Sequence, residues 1–590
     1  EAAKLIGLEI PVFCYEPRLK PVGACRMCLV QVEKLPRLQT ACTTPVGADM
    51  VVFTNTPEVI AAQNGVLELL LANHPLDCPI CDKGGECPLQ DNTFAYGPGA
   101  SRFTEEKRHK EKAFPLGEYI VLDRERCIMC YRCVRFHQEI PGDEALAAVS
   151  RGAESEIATL DGEPYNSLFA GNTIELCPVG ALTSRQYRFR ARPWDLVRTP
   201  SVCSGCSVGC NVEVHSRTET VLRLVSRRNP VVDDGWLCDR GRFETIPTPQ
   251  TDRPARPMVR HNGTLTPATW DLALGRAAEV LGHGGAAIVS GGLSNEAYFI
   301  LQRLAAKLPA ALWPAVGERW PVQGAIENLG RSKTIVTVGL DVWEDLPVLA
   351  LWIRKAVQSG GRLVVLGEAN GLWRDTAAWL RGDPMAAVAT LLDSLRAEVS
   401  AAPASLLVHP SLVAGNRARL QELAAALGAD GQAGMVGAPL LGANARGAAE
   451  LAPDLVRGDS GRVLASSAVL LLGDEAWTDL KTGSFASLVV ATSQAIDEND
   501  TRVEVFLPMA HAYERQGTMT NLEGRVQHQD GGAAPPPHAR ADWGIVAGLA
   551  QRLGAPGPAP ESIELIRSLI ADQHPTLAAV IREELLVARV

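Results

Sequence analysis

Apolar and polar positions are patterned differently in the two parts of the chain. From residue 258 onward, short apolar runs alternate with Ala/Leu-rich stretches of helical period. Ala286 to Ser290 predicts a strand and Gly291-Gly292 a turn. Ser294 is placed to cap a helix that runs to Leu308. Thr334 to Val338 and Arg362 to Leu366 repeat the strand pattern around a helix from Leu346 to Ser359, and Ser405 to Val408, Ala468 to Leu472 and Leu488 to Thr492 read as further buried strands. Such alternation predicts a parallel α/β layer. Before residue 258 the elements are short. A helix is expected over Glu1 to Leu8 and strand-like pieces at Cys28 to Val32 and Met50 to Phe53. Helical stretches follow from Pro57 and over Gly65 to Asn73. The charged run Glu106 to Lys112 reads as a solvated face. Ile246 to Pro257 and Gly554 to Pro560 read as linkers.

The most apolar run, Val463 to Leu472, contains two serines and is too short for the roughly 18 residues of a membrane span. No signal peptide is visible. The chain opens without Met inside a helical pattern, so an earlier segment with its strands is expected to be missing. Composition is that of a globular protein of several domains, and a net charge of −10 argues against a nucleic-acid binder built on a basic surface.

The cysteines change the picture. All 15 lie between Cys14 and Cys238. Cys-x-x-Cys pairs in a long acidic chain point to metal or redox chemistry rather than a secreted disulfide framework. The first group, Cys14, Cys25, Cys28 and Cys42, has the single–pair–distant-fourth order of plant-type 2Fe–2S proteins, with a longer first gap; zinc or free core thiols are the alternatives. Small residues at Pro21 to Ala24 let backbone N–H groups approach the sulfurs. The second group, Cys78, Cys81 and Cys87, has three thiols. His74, one helical turn earlier, is the candidate fourth ligand, and a structural histidine is the alternative. Gly84-Gly85 gives this loop freedom to wrap a cluster. The third group, Cys127, Cys130 and Cys133 with Cys177-Pro178 beyond, has the bacterial 4Fe–4S spacing, with Ile128, Met129 and Tyr131 placed to exclude water. The fourth, Cys203, Cys206, Cys210 and Cys238, suits 4Fe–4S or structural zinc. With His74, the fifteen cysteines make four sets of four and leave no thiol over. A dinucleotide fingerprint is absent at Ser290-Gly291-Gly292.

On these residues a resemblance becomes specific. Gly23-Ala24-Cys25-Arg26-Met27-Cys28, Asn73-His74-Pro75-Leu76-Asp77-Cys78, Arg126-Cys127-Ile128-Met129-Cys130 and Cys177-Pro178-Val179-Gly180-Ala181-Leu182-Thr183 resemble the G-type subunit, the 75-kDa-type iron–sulfur subunit, of bacterial respiratory complex I, NADH:quinone oxidoreductase. Cys203 to Arg242 is similar to the cluster domain that heads molybdopterin oxidoreductases. Residues 258–590 resemble their α/β body more loosely, with Phe506-Leu507-Pro508 and Asn521 to Gln527 as the landmark.

The resemblance implies a multidomain α/β chain. Its expected parts are a truncated 2Fe–2S ferredoxin-like β-grasp domain (1–65), a 4Fe–4S domain with one histidine and three cysteine ligands (66–105), a 4Fe–4S ferredoxin-like domain (106–195), a further 4Fe–4S domain of molybdopterin-oxidoreductase type (196–250) and a molybdopterin-oxidoreductase-like body without a Cys metal ligand (251–590). It implies one 2Fe–2S and three 4Fe–4S clusters. It implies no molybdopterin, FMN or NAD on this chain, which would have no catalytic residue of its own. Electrons would arrive from a flavin/NADH-binding subunit and pass the binuclear, Cys127 and His74 clusters towards quinone, with the Cys203 cluster off the route. Expected partners are that flavin subunit, a small 2Fe–2S subunit and a ferredoxin-like 4Fe–4S subunit. The place is the cytoplasmic side of the bacterial inner membrane, reached only through the complex. The alternative is the catalytic subunit of a molybdenum-dependent, NAD-linked formate dehydrogenase-like enzyme. An iron-only hydrogenase would need more cysteines, and a zinc scaffold would be colourless.

Overall fold

The computed structural model describes residues 1–314, 318–395, 403–557, 560–575 and 577. The chain divides at residue 196 into two units, Glu1–Leu196 and Val197–Val590.

The first unit is built from short elements. A three-stranded antiparallel sheet pairs Leu29–Val32 with Gln39–Thr40 on one side and Val52–Phe53 on the other, and the alternation of Leu29–Val32 buries Val30 and Val32. Thr56 caps the helix Pro57–Asn73 by accepting from the Val59 N–H at 3.4 Å, and Pro57 sits where no N–H is needed. This helix runs unbroken through residue 65, so the division expected between residues 65 and 66 falls inside it. Further on, Ile120–Leu122 pairs with Phe114–Pro115 and Leu182–Ser184, and the helices Arg132–Glu139 and Asn172–Leu176 carry Cys133 and lead to Cys177. His137 is fully buried between Asp143 Oδ1 (2.6 Å) and the Tyr165 hydroxyl (2.5 Å), which pins the intervening loop to the helix. The opening helix is shorter than expected, Ala2–Leu5.

The second unit opens with an antiparallel sheet of Val197–Val202, Asn211–Arg217 and Thr220–Ser226. Its main sheet has seven strands in the order Thr264–Pro267, Met258–His261, Val503–Pro508, Leu488–Thr492, Val469–Leu472, Ala286–Ser290 and Ala310–Trp313. The last five run parallel, and Met258–His261 and Thr264–Pro267 form an antiparallel edge. A second, parallel sheet of five, in the order Thr376–Leu380, Arg362–Leu366, Thr334–Val338, Ala404–Val408 and Val436–Gly437, is inserted in sequence between Ala310–Trp313 and Val469–Leu472. The strands Ala286–Ser290, Val469–Leu472 and Leu488–Thr492 are buried at every position, as both-face coverage by helices requires. Ser294 caps the helix Asn295–Leu304, which ends before Leu308, and the expected helix after Leu346 is Pro347–Gln358. Part of the linker expected over Gly554 to Pro560 lies outside the described residues. Among the described residues no helix is long and apolar enough to cross a membrane.

Candidate metal centres

Cys14, Cys25, Cys28 and Cys42 come together as two thiol pairs, Cys14 with Cys25 and Cys28 with Cys42. The hydrogen bond with Cys25 lowers the Cys14 thiol to about 6 and raises its partner, while burial and the Cys28 thiol lift Cys42 to about 11. The Ala24 N–H also bonds the Cys14 sulfur and the Gly23 N–H that of Cys42, the approach that the small residues at 21–24 predict.

His74 is the residue that ends the helix Pro57–Asn73. With Cys78, Cys81 and Cys87 it lines a single cavity of about 310 Å³. Burial, reinforced by the Arg126 and Lys107 charges, lowers its imidazole to about 4, so the ring is neutral with a free lone pair. The charged run Glu106 to Lys112 is mostly exposed, as expected of a solvated face, but two of its lysines also reach inward. Lys107 Nζ donates to the last helix carbonyls, Leu71 (2.8 Å) and Ala72 (2.9 Å). Lys112 Nζ pairs with Asp77 at 2.7 Å. The run is a cationic strap over the His74–Cys78 loop, where cations complement a helix C-terminus. Asp77 also receives Arg126, through Nε (3.0 Å) and Nη2 (2.9 Å). Gly85 has φ +93°, and a Cβ there would overlap the Trp194 ring.

Cys127, Cys130, Cys133 and Cys177 line one apolar cavity with Ile128 and Tyr131. Met129 (φ +49°) and Tyr131 (φ +60°) are left-handed, which coils the Cys-x-x-Cys-x-x-Cys run on itself. Burial drives the Cys127 thiol up to about 12 and Cys130 to about 11. Thiols this reluctant to ionise would need a bound metal to displace their protons. The helix behind them reaches the first group: Arg132 Nη2 donates to the Tyr15 carbonyl at 2.5 Å, and Arg135 Nη2 to the carbonyl of Cys14 itself.

Cys203, Cys206, Cys210 and Cys238 are all buried in the second unit. The Gly205 N–H reaches Cys203 Sγ and the Gly241 N–H reaches Cys238 Sγ, both at 3.4 Å. The body grips this loop through the segment that the sequence marks as a landmark. Leu522 N donates to the Ser207 carbonyl (2.7 Å), Asn521 Nδ2 to that of Val208 (3.2 Å) and Gln527 Nε2 to that of Gly209 (3.1 Å). The Tyr513 hydroxyl accepts from Ser204 N at 3.2 Å. None of these grips, nor the strap, shows in the spacing of the cysteines.

Five family models match in order: a 2Fe–2S iron–sulfur cluster binding domain (1–57), the NADH-ubiquinone oxidoreductase-G iron–sulfur binding region (63–102), the ferredoxin-like domain of NADH-quinone oxidoreductase subunit 3 (117–183), the molybdopterin oxidoreductase Fe4S4 domain (196–245) and molybdopterin oxidoreductase (253–552). The G-type subunit of NADH-quinone oxidoreductase from Streptomyces coelicolor is 35% identical over 90% of this chain and 74% of its own length. The second G-type subunit of Rhizobium meliloti is 39% identical over 65% of this chain and 47% of its own. The G-type subunit of Mycobacterium bovis is 48% identical over 48% and 36%. The chain thus spans under half of the length of the latter two. An NAD+-reducing [NiFe]-hydrogenase chain shares 30% identity over 32% of this chain and 81% of that one, at a TM-score of 0.30. The order of the five models and the match along most of the Streptomyces protein agree with the four cysteine groups, and the chain belongs to the family of G-type iron–sulfur subunits of NADH-quinone oxidoreductase.

Proposed function

We propose that this chain relays electrons within the peripheral arm of NADH:quinone oxidoreductase, from the flavin-bearing subunit towards quinone, on the cytoplasmic side of the bacterial inner membrane. It is an electron-carrying subunit of that larger complex. Its neighbours there are the flavin/NADH-binding subunit, a small 2Fe–2S subunit and a ferredoxin-like 4Fe–4S subunit. The observation that carries this reading is the set of direct ties in the first unit. Arg132 and Arg135 join the Cys133 helix to the Cys14 loop, and Arg126, the residue before Cys127, lines the His74 cavity.

The donor sets fit iron–sulfur clusters. The His74 cavity is far larger than a bare ion, whose thiolate ligands stand about 2.3 Å from it. Cys14, Cys25, Cys28 and Cys42 would hold a 2Fe–2S cluster. His74 with Cys78, Cys81 and Cys87, then Cys127, Cys130, Cys133 and Cys177, then Cys203, Cys206, Cys210 and Cys238, would each hold a 4Fe–4S cluster. Bound there, such clusters supply reversible one-electron storage. The chain's own part is to exclude water with Ile128 and Tyr131, to present a neutral imidazole at His74, and to set positive charge beside it with Arg126, Lys107 and Lys112. These cations favour the reduced state of whatever the cavity holds.

The body offers no thiolate ligand for molybdenum, which leaves serine or aspartate as the ligand types it could supply. It has no cysteine after Cys238. The crevice at the carboxyl ends of Ala286–Ser290 and Val469–Leu472, where an open sheet takes its ligand, is filled by its own side chains. Glu475 lies against Gly291 and Gly292, Arg515 donates to the Gly292 carbonyl at 3.1 Å, and the buried Arg515 pairs with Asp542.

Analysis of the purified chain tests the reading: about 14 iron and about 14 sulfide per chain are expected. Zinc at two or more equivalents would overturn it, and stoichiometric molybdenum would favour the formate dehydrogenase-like alternative. His74→Ala in the complex should lose the Cys78–Cys87 cluster signal and most NADH-to-quinone flux, with NADH-to-ferricyanide activity kept. Normal flux would make His74 a structural residue.

A further inference from the structure

The loop that holds Cys78, Cys81 and Cys87 touches the segment around Cys177 at three points. The Cys87 sulfur stands 3.6 Å from the Pro178 carbonyl oxygen. Lys83 Nζ donates at 3.1 Å to the carbonyl of Ile174, in the helix that ends at Cys177. Gly180 lies so close to Cys81 that a Cβ on it would overlap the Cys81 sulfur, and Lys83 Cβ (3.4 Å) and Arg126 Cδ (3.6 Å) hem in the same point. Only a residue without a side chain fits there. Two cysteine sets far apart in sequence are therefore in contact through Ile174, Pro178 and Gly180, which flank Cys177.

We propose that Cys177–Gly180 is the bridge by which electrons cross between the Cys127/Cys130/Cys133/Cys177 site and the His74/Cys78/Cys81/Cys87 site, with Gly180 and Lys83 as its positioning residues. This rests on the relay reading above and adds a route to it. Electron tunnelling weakens steeply with every gap between bonded atoms. From the Cys177 sulfur the path is covalent to the Pro178 carbonyl, and the one gap that follows ends on a ligand sulfur, Cys87. Gly180 offers a second crossing of the same kind onto Cys81. The competing route from Cys127 runs the length of the saturated Arg126 side chain, crosses a hydrogen bond to Asp77 and must then follow the backbone to Cys78, a longer path of bonds than the one through Pro178. One electron crosses at a time: the first site is oxidised by one electron, the second is reduced by one, and no bond or proton is exchanged. The electron is the one that NADH supplies upstream.

The test uses the assembled complex, rapidly mixed with NADH, frozen at intervals and read by electron paramagnetic resonance of each cluster, with iron counted in every sample. In Gly180→Ala the added methyl must displace Cys81. The expected result is a His74-site signal that is altered or appears several-fold later, beside an unchanged Cys127-site signal. In Lys83→Met both clusters should load and the His74-site signal should again lag. Loss of the His74-site cluster alone in Gly180→Ala would support the contact and leave the route to Lys83→Met. A change confined to the Cys127-site signal in Gly180→Ala, or wild-type timing in Lys83→Met, would overturn the bridge. Absence of iron from the wild-type His74 site would instead overturn the relay reading itself.

Discussion

The two units reach stability by different means. The second has a continuous apolar core, in which Val289, Leu470, Val489, Val505 and Leu507 on the sheet pack with Ala277, Tyr298 and Leu301 on its helices. The first has strands of two to four residues, and many of its long-range ties are side chains donating to carbonyls, as Lys107, Arg132, Arg135 and Arg192 do, beside ion pairs such as Arg126 with Asp77. Its cysteines are buried beside apolar side chains such as Phe13, Met27, Phe136 and Phe169: Cys14, Cys28, Cys81, Cys87, Cys130, Cys133 and Cys177 are all buried there. Small modules of this kind lean on metal for folding, whereas a large parallel sheet does not.

The largest effect should come from withholding iron during assembly. The first unit should then become protease-sensitive along its length, while the second keeps a resistant fragment beginning near residue 250. Equal digestion of both units would erase the distinction. Single ligands sharpen it. Cys130→Ala should leave assembled complex that cannot pass electrons onward. Cys206→Ala should lower yield or thermal stability, because its loop is held by Tyr513, Asn521 and Gln527 and adjoins no ligand set of the first unit in sequence. Turnover per assembled flavin should stay near wild type in Cys206→Ala. Equal loss in both variants would put the Cys203 site on the path.

A smaller, metal-independent effect belongs to the second unit. Burial and the neighbouring Asp474 raise the Glu475 carboxyl from the ordinary 4.5 to about 7. The folded state holds that proton longer than the unfolded chain, so the stabilisation is full below pH 4.5 and is lost as pH rises to about 7, a change of about 3 kcal/mol. Glu475→Gln should flatten the fall in melting temperature of the body between pH 5 and 8. An unchanged slope would assign the titration to another group.

Much of this is legible in the residues. Cysteine spacing points to His74, Cys78, Cys81 and Cys87, which line one cavity, and to Cys127, Cys130, Cys133 and Cys177, which line another; Ser294 marks its helix start because a cap hydroxyl next to an amphipathic run is a local signal. What escapes is non-local. The run at 106–112 is solvated as its charges suggest, but its ties inward are not readable because the partners, Leu71, Ala72 and Asp77, lie about 35 residues back. Strand–helix alternation after residue 258 carries no mark of which sheet a strand joins. The insertion of Thr334–Val338 and its neighbours as a separate sheet, and the antiparallel edge formed by Met258–His261 and Thr264–Pro267, are therefore unreadable there. Gly180 looks like an ordinary turn glycine, since nothing in sequence announces the sulfur against it.

The helix Pro57–Asn73 packs on the strand Leu29–Val32 and on the helix Pro88–Tyr96, and its last residue adjoins His74. Seventeen residues at 1.5 Å each make it a ruler of about 25 Å. Its length is quantised. One inserted residue would advance His74 by about 1.5 Å and swing it by about 100°, out of the cavity it shares with three cysteines. Loops in such a chain are free to lengthen over evolution, but this span can change only in steps that restore both phase and distance, which makes its residue count as much a part of the wire as any ligand.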